Sequence, residues 1–397
     1  MKFRRLENAS LDNKTALVRV DFNVPVTEGG GIADDTRLRA AVPTIQALQE
    51  AGAKIVLLSH FGRPKGRIDP SLSLGFLTDP LAALLGSPVT FCEDLTGQAA
   101  RDAVKALNSG DVLLMENTRF LPGETANDPK LSAQVATLGD VFIQDAFSAA
   151  HRAHMSSAGL ADYLPAYAGL AMERELDHLS QALDHPKPPV MAVVGGAKVS
   201  TKIDLLQNLV SKLDILVIGG GMANTFLAAK GVNVGASLCE HDLADTARQI
   251  MAAASNASCE IMLPVDVVVA KEFKAYAASR VCAPQDVASD EMILDAGPET
   301  VNAIADAMDR AKTLIWNGPL GAFELEPFDT ATVEAAQYAA KRTRDGKLIS
   351  VAGGGDTVSA LNHAGVADDF TFISTAGGAF LEWMEGKALP GVTAISN

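Results

Sequence analysis

Residues 348–357 read LISVAGGGDT, in which an apolar run ends in three consecutive glycines, an aspartate and a threonine. The run at 348–352 predicts a strand. The glycines predict a loop whose backbone N–H groups can converge on an anion without obstruction by side chains. A helix that begins after the glycines would add the positive end of its dipole. The loop formed by Gly353, Gly354, Gly355, Asp356 and Thr357 is therefore a candidate phosphate site, with Asp356 placed to bind a metal ion carried by the phosphate.

Short apolar runs of this kind recur along the whole chain, separated by stretches rich in Ala, Leu, Glu and Gln. This alternation is typical of repeated βα units and predicts an α/β protein with doubly wound parallel sheets. The predicted strands are 15–20, 54–58, 112–115 and 141–144 in the first half, and 190–194, 215–218, 261–263, 267–269, 313–315, 348–351 and 371–373 in the second.

A helical pattern at 170–183 is followed by the helix-stopping sequence HPKPP at 185–189. A proline-rich break near mid-chain favours a domain boundary; the alternative is an ordinary surface helix and loop within one domain. We therefore expect two Rossmann-like domains, 1–170 and 189–376, joined by a helical hinge at 171–188. A chain of 397 residues, 48% of them hydrophobic, can form a core in each.

The composition restricts which classes of partner the protein is expected to bind and in which compartment it is expected to lie. A net charge of −15 at pH 7 opposes general binding to nucleic acid or acidic membranes, so any anion site must be locally basic. The four cysteines, Cys92, Cys239, Cys259 and Cys282, form no C-x-x-C pair and are expected to be reduced thiols. The sequence has neither a leader-like start nor an apolar run of membrane-spanning length, so we expect a cytoplasmic protein.

In the first half, charged and polar residues follow the predicted strands, where ligands bind in open α/β sheets. Guanidinium groups match carboxylates and phosphates in geometry and stay charged, so the arginines predict a pocket for a small, highly charged acid. Asp21 and Asn23 could accept hydrogen bonds from substrate hydroxyls. The alternatives are solvated surface arginines and a turn before Pro25. The candidate residues are Asp21, Asn23, Arg37, His60, Arg63, Arg119 and Arg152.

In the second half, glycine-rich segments follow the predicted strands and offer backbone donors. Lys198 and Lys202 are four residues apart after a glycine pair, so a helix that starts near Val199 would place both on one face of its first turn. Lysines are disfavoured there by the helix dipole, and a nucleotide phosphate would offset that cost. The alternatives are two exposed lysines on an amphipathic helix and, for the glycines at 219–221, tight turns that let a helix pack on a strand.

Several familiar nucleotide motifs are missing from the sequence. It has no G-x-x-x-x-G-K-[ST] loop and no protein-kinase H-R-D or D-F-G element. The dinucleotide fingerprint fails as well, because Asn224 and Val358 stand where Gly or Ala is required. This disfavours a nucleotide-dependent dehydrogenase and leaves a mononucleotide site of another design.

Eight segments taken together resemble the phosphoglycerate kinase family, and they occur in the family's order from end to end. They are VRVDFNVP at 18–25, SHFGRP at 59–64, ENTRF at 116–120, AHRAH at 150–154, GGAKV at 195–199, GGGMA at 219–223, WNGP at 316–319 and GGGDT at 353–357. The resemblance implies reversible phosphoryl transfer from 1,3-bisphosphoglycerate to MgADP, giving 3-phosphoglycerate and MgATP. It also implies a monomer, hinge bending, and a final segment, 377–397, that returns to the N-terminal domain.

The resemblance also assigns roles to individual residues. It implies that the first-half set binds 3-phosphoglycerate or 1,3-bisphosphoglycerate, and that Asp356 binds Mg²⁺. The phosphoryl group in transfer would be stabilised by Arg37, Lys198 and the N–H groups near Gly354 and Gly377. The residues implied to bind ATP or ADP are Lys198, Lys202, Gly297, Asn317, Glu324, Gly353, Gly354, Gly355, Asp356 and Thr357.

Two positions depart from the family pattern. Ala376 stands where the family usually has glycine, and Ala296 where it usually has a larger apolar residue. The methyl group of Ala376 would be costly if that position needs a positive φ, and of small effect otherwise. A non-catalytic nucleotide-binding regulatory protein of the same fold remains the alternative function, because a fold alone does not establish activity.

Overall fold

The computed structural model describes residues 2–396 and divides the chain into two compact units. Unit 1 comprises the residues up to Asp177 together with those from Ala388 onward, and unit 2 comprises His178–Lys387. Each unit contains its own six-stranded sheet. No helix within residues 2–396 combines the length and the apolar character needed to cross a membrane.

The sheet of unit 1 is entirely parallel, with strand order β3-β4-β2-β1-β5-β6. Its central strands are buried on both faces, as in parallel sheets covered by helices. The strands are β1 Thr15–Arg19, β2 Lys54–Leu58, β3 Val89–Cys92, β4 Val112–Met115, β5 Val141–Gln144 and β6 Ala166–Ala168. The helices are α1 Thr36–Glu50, α2 Thr78–Leu85, α3 Gln98–Lys105, α4 Pro129–Ala136 and α5 Leu170–Leu183, the last of which continues into unit 2.

Unit 2 has a second parallel sheet, with order β15-β14-β13-β7-β8-β9, and a small antiparallel sheet, with order β11-β10-β12. The strands are β7 Val190–Val194, β8 Ile215–Ile218, β9 Glu260–Met262, β10 Val267–Ala270, β11 Ser279–Cys282, β12 Met292–Ala296, β13 Thr313–Asn317, β14 Ile349–Gly353 and β15 Phe372–Ser374. The helices are α6 Ile203–Leu209, α7 Gly221–Ala229, α8 Ala244–Asn256, α9 Pro298–Arg310, α10 Thr330–Arg344, α11 Gly355–His363 and α12 Gly377–Met384.

The expected α/β class with two doubly wound parallel sheets is confirmed. Each predicted strand forms within two residues of its expected bounds, but the strand expected at 267–269 lies in the antiparallel sheet. Strands β3, β6, β11 and β12 were not predicted. Strand β6 has only three residues, and β11 is largely exposed, so the continuous apolar run that marks a buried strand is absent from the sequence of β11.

The unit boundaries differ in detail from the expected domain limits. The boundary after Asp177 falls inside α5, within the segment 171–188 expected to be the hinge. Helix α12 belongs to unit 2, and Asn208 Nδ2 donates to the carbonyl of Met384 near its end. The chain rejoins unit 1 only at Ala388, later than the expected position 377. There α13 Pro390–Thr393 follows, and Gly391 N donates to the Ala150 carbonyl at 2.8 Å.

Candidate functional site

The candidate residues of unit 1 come together at the carboxyl edge of its sheet. Asp21 and Asn23 follow β1, His60 and Arg63 follow β2, Arg119 follows β4 in the turn Thr118–Phe120, and Arg152 follows β5. Since β4, β2, β1 and β5 are consecutive neighbours, their carboxyl ends adjoin. We call these residues, with Arg37 near the start of α1, the anion cluster.

Hydrogen bonds connect the loops that carry the cluster. Arg37 donates to the Asp21 carboxylate, which also accepts from Ser148 Oγ. Asn23 Oδ1 accepts from the backbone N–H of Gly62 at 2.9 Å, and Arg119 Nη1 donates to the Gly62 carbonyl at 2.8 Å. Asp21 and Asn23 therefore hold the loops in place in addition to any contact they make with a ligand.

Positive charge is concentrated in the anion cluster. Burial, followed by the charges of Arg19, Arg119 and Arg37, holds the pKa of His60 well below its ordinary value. Burial also lowers the pKa of Arg119; the charges of Arg19, Arg63 and Arg152 add to this, while that of Glu124 opposes it. Such mutual repulsion among cations is relieved by a ligand that carries several negative charges.

Two further observations indicate an open binding position in this cluster. The Nε group of Arg119 is buried, and no acceptor among residues 2–396 reaches it. Arg63 and Arg152 have exposed side chains, so their charges face solvent at the edge of the sheet. A buried donor without an acceptor is costly, and a ligand oxygen would remove that cost.

Sequence reasoning missed one residue that contacts the cluster, Arg19, whose guanidinium lies against His60. It lies within β1 and is only 1% exposed, although arginine is rarely buried without a partner. The segment that contains it reads as a buried apolar strand, so its position gave no indication of a site. The detectable signal was the charge itself, since a central parallel strand rarely carries an unneeded arginine.

In unit 2, the phosphate site predicted at 353–357 lies where two helices begin. Helix α11 starts directly after Gly354, whose φ of +98° suits glycine, and α12 starts at Gly377. A Cβ placed on Gly377 would lie 3.8 Å from the backbone N of Gly355, so the two helix starts are adjacent. Their first N–H groups lack partners within the helices and carry partial positive charge, which favours an anion here.

Lys202 is directed toward the loops after β7 and β13. Its Nζ donates to the Gly195 carbonyl at 2.5 Å and to both the carbonyl and Oδ1 of Asn317, at 3.0 and 2.6 Å. Asn317 Nδ2 in turn donates to the Gly353 carbonyl at 2.9 Å. Burial lowers the pKa of Lys202 to about 8, although the Asp356 carboxylate acts in the opposite direction. The lysine, Asn317 and the 353–357 loop therefore form one connected site.

The prediction of a helix that starts near Val199 is wrong. The chain forms a 3-10 turn, Val199–Thr201, and α6 begins only at Ile203. Lys198 is extended, with ψ of 135°, and Thr201 Oγ1 donates to its carbonyl, which closes the turn locally. Lys198 and Lys202 consequently do not share a helix face: Lys198 is exposed, whereas Lys202 is half-buried.

The glycines after β7 and β8 have a packing explanation. A Cβ on Gly195 would lie 1.8 Å from the Pro319 carbonyl oxygen, and one on Gly220, at φ +66°, would lie 2.7 Å from the Gly196 carbonyl oxygen. Only glycine permits these loops to approach so closely. The alternative that the glycines at 219–221 serve tight packing therefore holds at Gly220, and the same explanation applies to Gly195. It is compatible with a phosphate site beside them.

A cavity of about 650 Å³ extends from the ends of β8 and β12; its lining is largely apolar, as suits a planar base, and also includes Lys230, Glu260, Gln285 and Thr300. Its walls include Ile218, Gly219, Met262, Ala296, Ile304 and Leu320. Gly297 is the N-cap of α9, and a Cβ there would lie 2.2 Å from Asp266 Oδ2, which caps the same helix. Glu324 is exposed in the loop between β13 and α10, and its side chain is not drawn into the cavity lining.

The structure shows the surroundings of Ala376 and Ala296, the two residues that depart from the family pattern. Ala376 has φ of −106°, so its methyl group is not strained, and it is the N-cap of α12. Ala296 is buried in the wall of the cavity, where a small residue leaves more room than a large one.

The site also suits a magnesium ion carried by a nucleotide. Asp356 is exposed in the first turn of α11, beside the predicted phosphate position. Mg²⁺ is commonly held by one or two carboxylates together with substrate phosphates, which one aspartate can satisfy. Within residues 2–396, no group of three or more His, Cys, Asp or Glu side chains could hold a metal by itself.

A cluster of cations in one α/β unit and a glycine-rich loop at two helix starts in the other are features expected of a phosphotransferase. The protein-family model for phosphoglycerate kinase matches residues 6–387 of the chain. The chain is 62% identical over 394 residues to phosphoglycerate kinase of Maricaulis maris (strain MCS10), covering 99% of this chain and 98% of that one. It is 62% identical over 396 residues to that of Zymomonas mobilis subsp. mobilis (strain ATCC 31821 / ZM4 / CP4), covering all of both chains.

Solved structures agree with the sequence relatives. The structure of phosphoglycerate kinase from Coxiella burnetii matches with a TM-score of 0.93 and 42% identity, covering 99% of this chain and 98% of that chain. Phosphoglycerate kinase from Pyrococcus horikoshii OT3 matches with a TM-score of 0.80 and 31% identity over the same shares. The chain belongs to the phosphoglycerate kinase family, so it is an enzyme, and the non-catalytic alternative finds no support.

Proposed function

We propose that the anion cluster binds 3-phosphoglycerate or 1,3-bisphosphoglycerate, and that the site around Lys202 and the 353–357 loop binds ATP or ADP. The enzyme then transfers a phosphoryl group directly and reversibly between the acyl phosphate and the nucleotide. The observation that carries this proposal is that the two units offer different chemistry: unit 1 concentrates guanidinium groups, whereas unit 2 has two adjacent helix starts and, elsewhere in the same unit, a largely apolar cavity at the ends of β8 and β12.

The anion cluster fits a ligand with both a carboxylate and a phosphate. Arg119 has a buried Nε group without an acceptor in the described chain, and Arg63 and Arg152 present exposed charges. Planar guanidinium groups bind either anion through paired hydrogen bonds. The neighbouring cations repel one another, so a ligand with several negative charges should bind more tightly than a ligand with one.

In the nucleotide site, the first N–H groups of α11 and α12 would hold the phosphates, and the apolar cavity would take the base. Asn317 and Thr357 fix the loop that carries them, since Asn317 Nδ2 donates to the Gly353 carbonyl and Thr357 Oγ1 accepts from Gly318 N. Asp356 would hold Mg²⁺ together with phosphate oxygens, and the ion would neutralise part of the phosphate charge.

Transfer of a phosphoryl group requires positioned partners and stabilisation of the charge on its equatorial oxygens. Arg37, Lys198 and the N–H groups near Gly354 and Gly377 would provide that stabilisation, and no covalent enzyme intermediate is needed. By the family resemblance, we further propose that bending at 171–188 brings the bound substrates together, and that the enzyme is a cytoplasmic monomer.

The direct test is formation of ADP from MgATP on addition of 3-phosphoglycerate, with the acyl phosphate removed by a coupling dehydrogenase. We expect activity that requires both substrates. Calorimetry should show that Arg119→Met loses phosphoglycerate binding but keeps MgADP binding, while Arg101→Met, at an exposed position on α3, keeps both. A folded protein that binds MgADP without turnover would contradict the proposal.

A further inference from the structure

Arg19 and His60 form a buried contact inside unit 1. The Nη2 atom of Arg19 lies 2.8 Å from His60 Nδ1. The other arms of the guanidinium also meet the protein: Nε donates to Ser156 Oγ at 3.0 Å, and Nη1 donates to the Val20 carbonyl. Because all three nitrogens have protein acceptors and the residue is 1% exposed, Arg19 can influence a ligand only through its neighbours.

The chemistry of this contact determines the protonation of His60. A guanidinium has only donors and stays charged at any working pH, so the atom facing Arg19 Nη2 must be an acceptor. Nδ1 of His60 therefore carries no proton. A neutral imidazole then has its proton on Nε2, and no hydrogen bond within the described chain engages Nε2.

Buried acceptors keep Arg19 in this position. Ser156 Oγ accepts from Arg19 and donates to Glu124 Oε1 at 2.5 Å, and Ser156 N donates to Glu124 Oε2 at 3.1 Å. Glu124 is fully buried, and its charge opposes the effect of burial on the pKa of Arg19. A buried guanidinium with a nearby carboxylate and good hydrogen bonds is a fixed element of the site.

The charges around His60 favour the same protonation state. The charged and titratable groups near its ring are Arg19, Arg119, Arg37 and His154. Burial and these groups keep the pKa of His60 well below its ordinary value, so the imidazolium form is disfavoured. Burial and Arg119 likewise lower the pKa of His154 to about 4, so it does not add a charge near neutral pH.

We infer that Arg19 is a positioning residue that holds His60 as the neutral imidazole with its proton on Nε2. His60 then presents a hydrogen-bond donor, and not an acceptor, to an anionic oxygen of phosphoglycerate. The identity of this ligand rests on the proposed function, whereas the tautomer follows from the contact with Arg19.

The tautomer can be measured directly. Long-range ¹H–¹⁵N spectra of protein labelled at histidine distinguish a protonated from an unprotonated ring nitrogen, and His60→Gln identifies the signals of His60. We expect an unprotonated Nδ1 and a protonated Nε2 in the parent at neutral pH. A proton on Nδ1, or an imidazolium at neutral pH, would overturn the inference.

The role of Arg19 is tested with Arg19→Met, which removes the donors at similar length, and with Arg101→Met as the control. Arg101 is exposed on α3 and its guanidinium bonds only Thr96 and Gln98, so Arg101→Met should keep the Nε2–H signal of His60. In Arg19→Met, His60 should titrate at a higher pH as a mixture of tautomers. The KM for phosphoglycerate should rise about tenfold, the effect of losing one charge-assisted hydrogen bond, with the KM for MgATP changed less than about twofold.

The outcomes separate the two proposals. A folded Arg19→Met protein with an unchanged His60 spectrum and an unchanged phosphoglycerate KM would disprove the positioning role. If Arg19→Met does not fold, the parent spectrum still decides whether His60 has the inferred tautomer. If the parent has that tautomer but no phosphoglycerate-dependent turnover, the proposed function fails while the Arg19–His60 relationship stands.

Discussion

Lys202 Nζ lies 2.6 Å from Asn317 Oδ1 and 3.0 Å from the carbonyl oxygen of the same residue. The two residues are 115 positions apart in the chain and meet because β7 and β13 are neighbours. Asn317 Nδ2 also donates a hydrogen bond to the Gly353 carbonyl, so the Asn317 side chain connects Lys202 with the 353–357 loop. The charge of Lys202 is thereby fixed at the start of α11, where phosphates are proposed to bind.

Binding of MgADP should be accompanied by proton uptake at a pH just above 8. Burial lowers the pKa of Lys202 to about 8, and nearby phosphate charge would raise it again because an opposite charge favours the ammonium form. Calorimetry in buffers of different ionisation enthalpy measures the uptake. Lys202→Met should lose it and bind MgADP at least about tenfold more weakly. Lys212→Met, at an exposed position after α6, is the control, and equal proton uptake in all three proteins would contradict the role of Lys202.

Arg37→Ala should lower kcat by roughly two to three decades, the usual effect of removing one donor to developing charge. Nucleotide affinity should change little, because Arg37 lies in unit 1 beside Asp21. The matched control is Arg39→Ala on the same helix, whose side chain is exposed and pairs with Asp35. Steady-state kinetics with both substrates varied separates the effects. Near-normal turnover in Arg37→Ala would remove its assigned role.

Ala376→Gly should leave kcat within about twofold of the parent, because φ at this position is −106° and glycine is not required. It should lower the free energy of unfolding by less than about 1 kcal/mol, since glycine adds freedom to the unfolded chain. A large gain in activity would show that the methyl group obstructs the site.

Gly354→Ala, unlike Ala376→Gly, should clearly lower stability and weaken nucleotide binding. Its φ is +98°, and a Cβ would lie 2.9 Å from Asn317 Nδ2. We expect a loss of about 1–3 kcal/mol in stability from the backbone alone and a clear weakening of MgADP binding. Chemical unfolding and calorimetry on Gly354→Ala and Gly365→Ala, a glycine at φ +69° with no atom within 4 Å of its Cβ, separate backbone strain from loss of the site. Equal nucleotide affinity in both variants would count against a phosphate position at Gly354.

Asp145 should make stability depend on pH near neutrality. Its Oδ1 accepts from Ala171 N and Met172 N at the start of α5, and its side chain is buried. Burial raises its pKa from 3.8 to about 7, although hydrogen bonds from the Thr44 side chain and from these N–H groups oppose the change. The folded chain therefore keeps a proton that the unfolded chain loses, and the resulting stability is lost as pH rises from about 4 through about 7.

Asp145→Asn keeps the acceptor for both N–H groups and removes the titration. Urea unfolding between about pH 5 and about pH 8 should show that its free energy of unfolding falls less steeply than that of the parent, by up to about 1.4 kcal/mol per pH unit. Asp162→Asn, at an exposed position, should follow the parent. A parallel pH dependence of Asp145→Asn and the parent would mean that Asp145 is ionised in the folded protein.

Much of the architecture could be predicted because its signals are local. The apolar runs that became β1, β2, β4, β5, β7, β8, β13 and β14 are short, continuous and bounded by polar or glycine-rich segments. Parallel strands buried on both faces require such runs. The residues after those strands could also be named as candidates, because the carboxyl ends of parallel strands lie at one edge of a sheet.

The direction of individual side chains could not be predicted in this way. Lys198 and Lys202 look equivalent in the sequence, yet one is exposed and the other donates to three oxygens. The difference arises from the turn at Val199–Thr201 and from Asn317, far along the chain. The sign of φ at Ala376 likewise depends on how α12 begins beside α11.

By itself, the amino-acid sequence determined the α/β class, the two parallel sheets and the loops in which ligands are proposed to bind, because apolar periodicity and glycine placement act over a few neighbouring residues. Only the tertiary structure decided the place of Arg19, whose partners His60 and Ser156 lie 41 and 137 residues away. A buried charge is tolerated only where distant segments supply its hydrogen bonds, and that requirement has no local signature in the sequence.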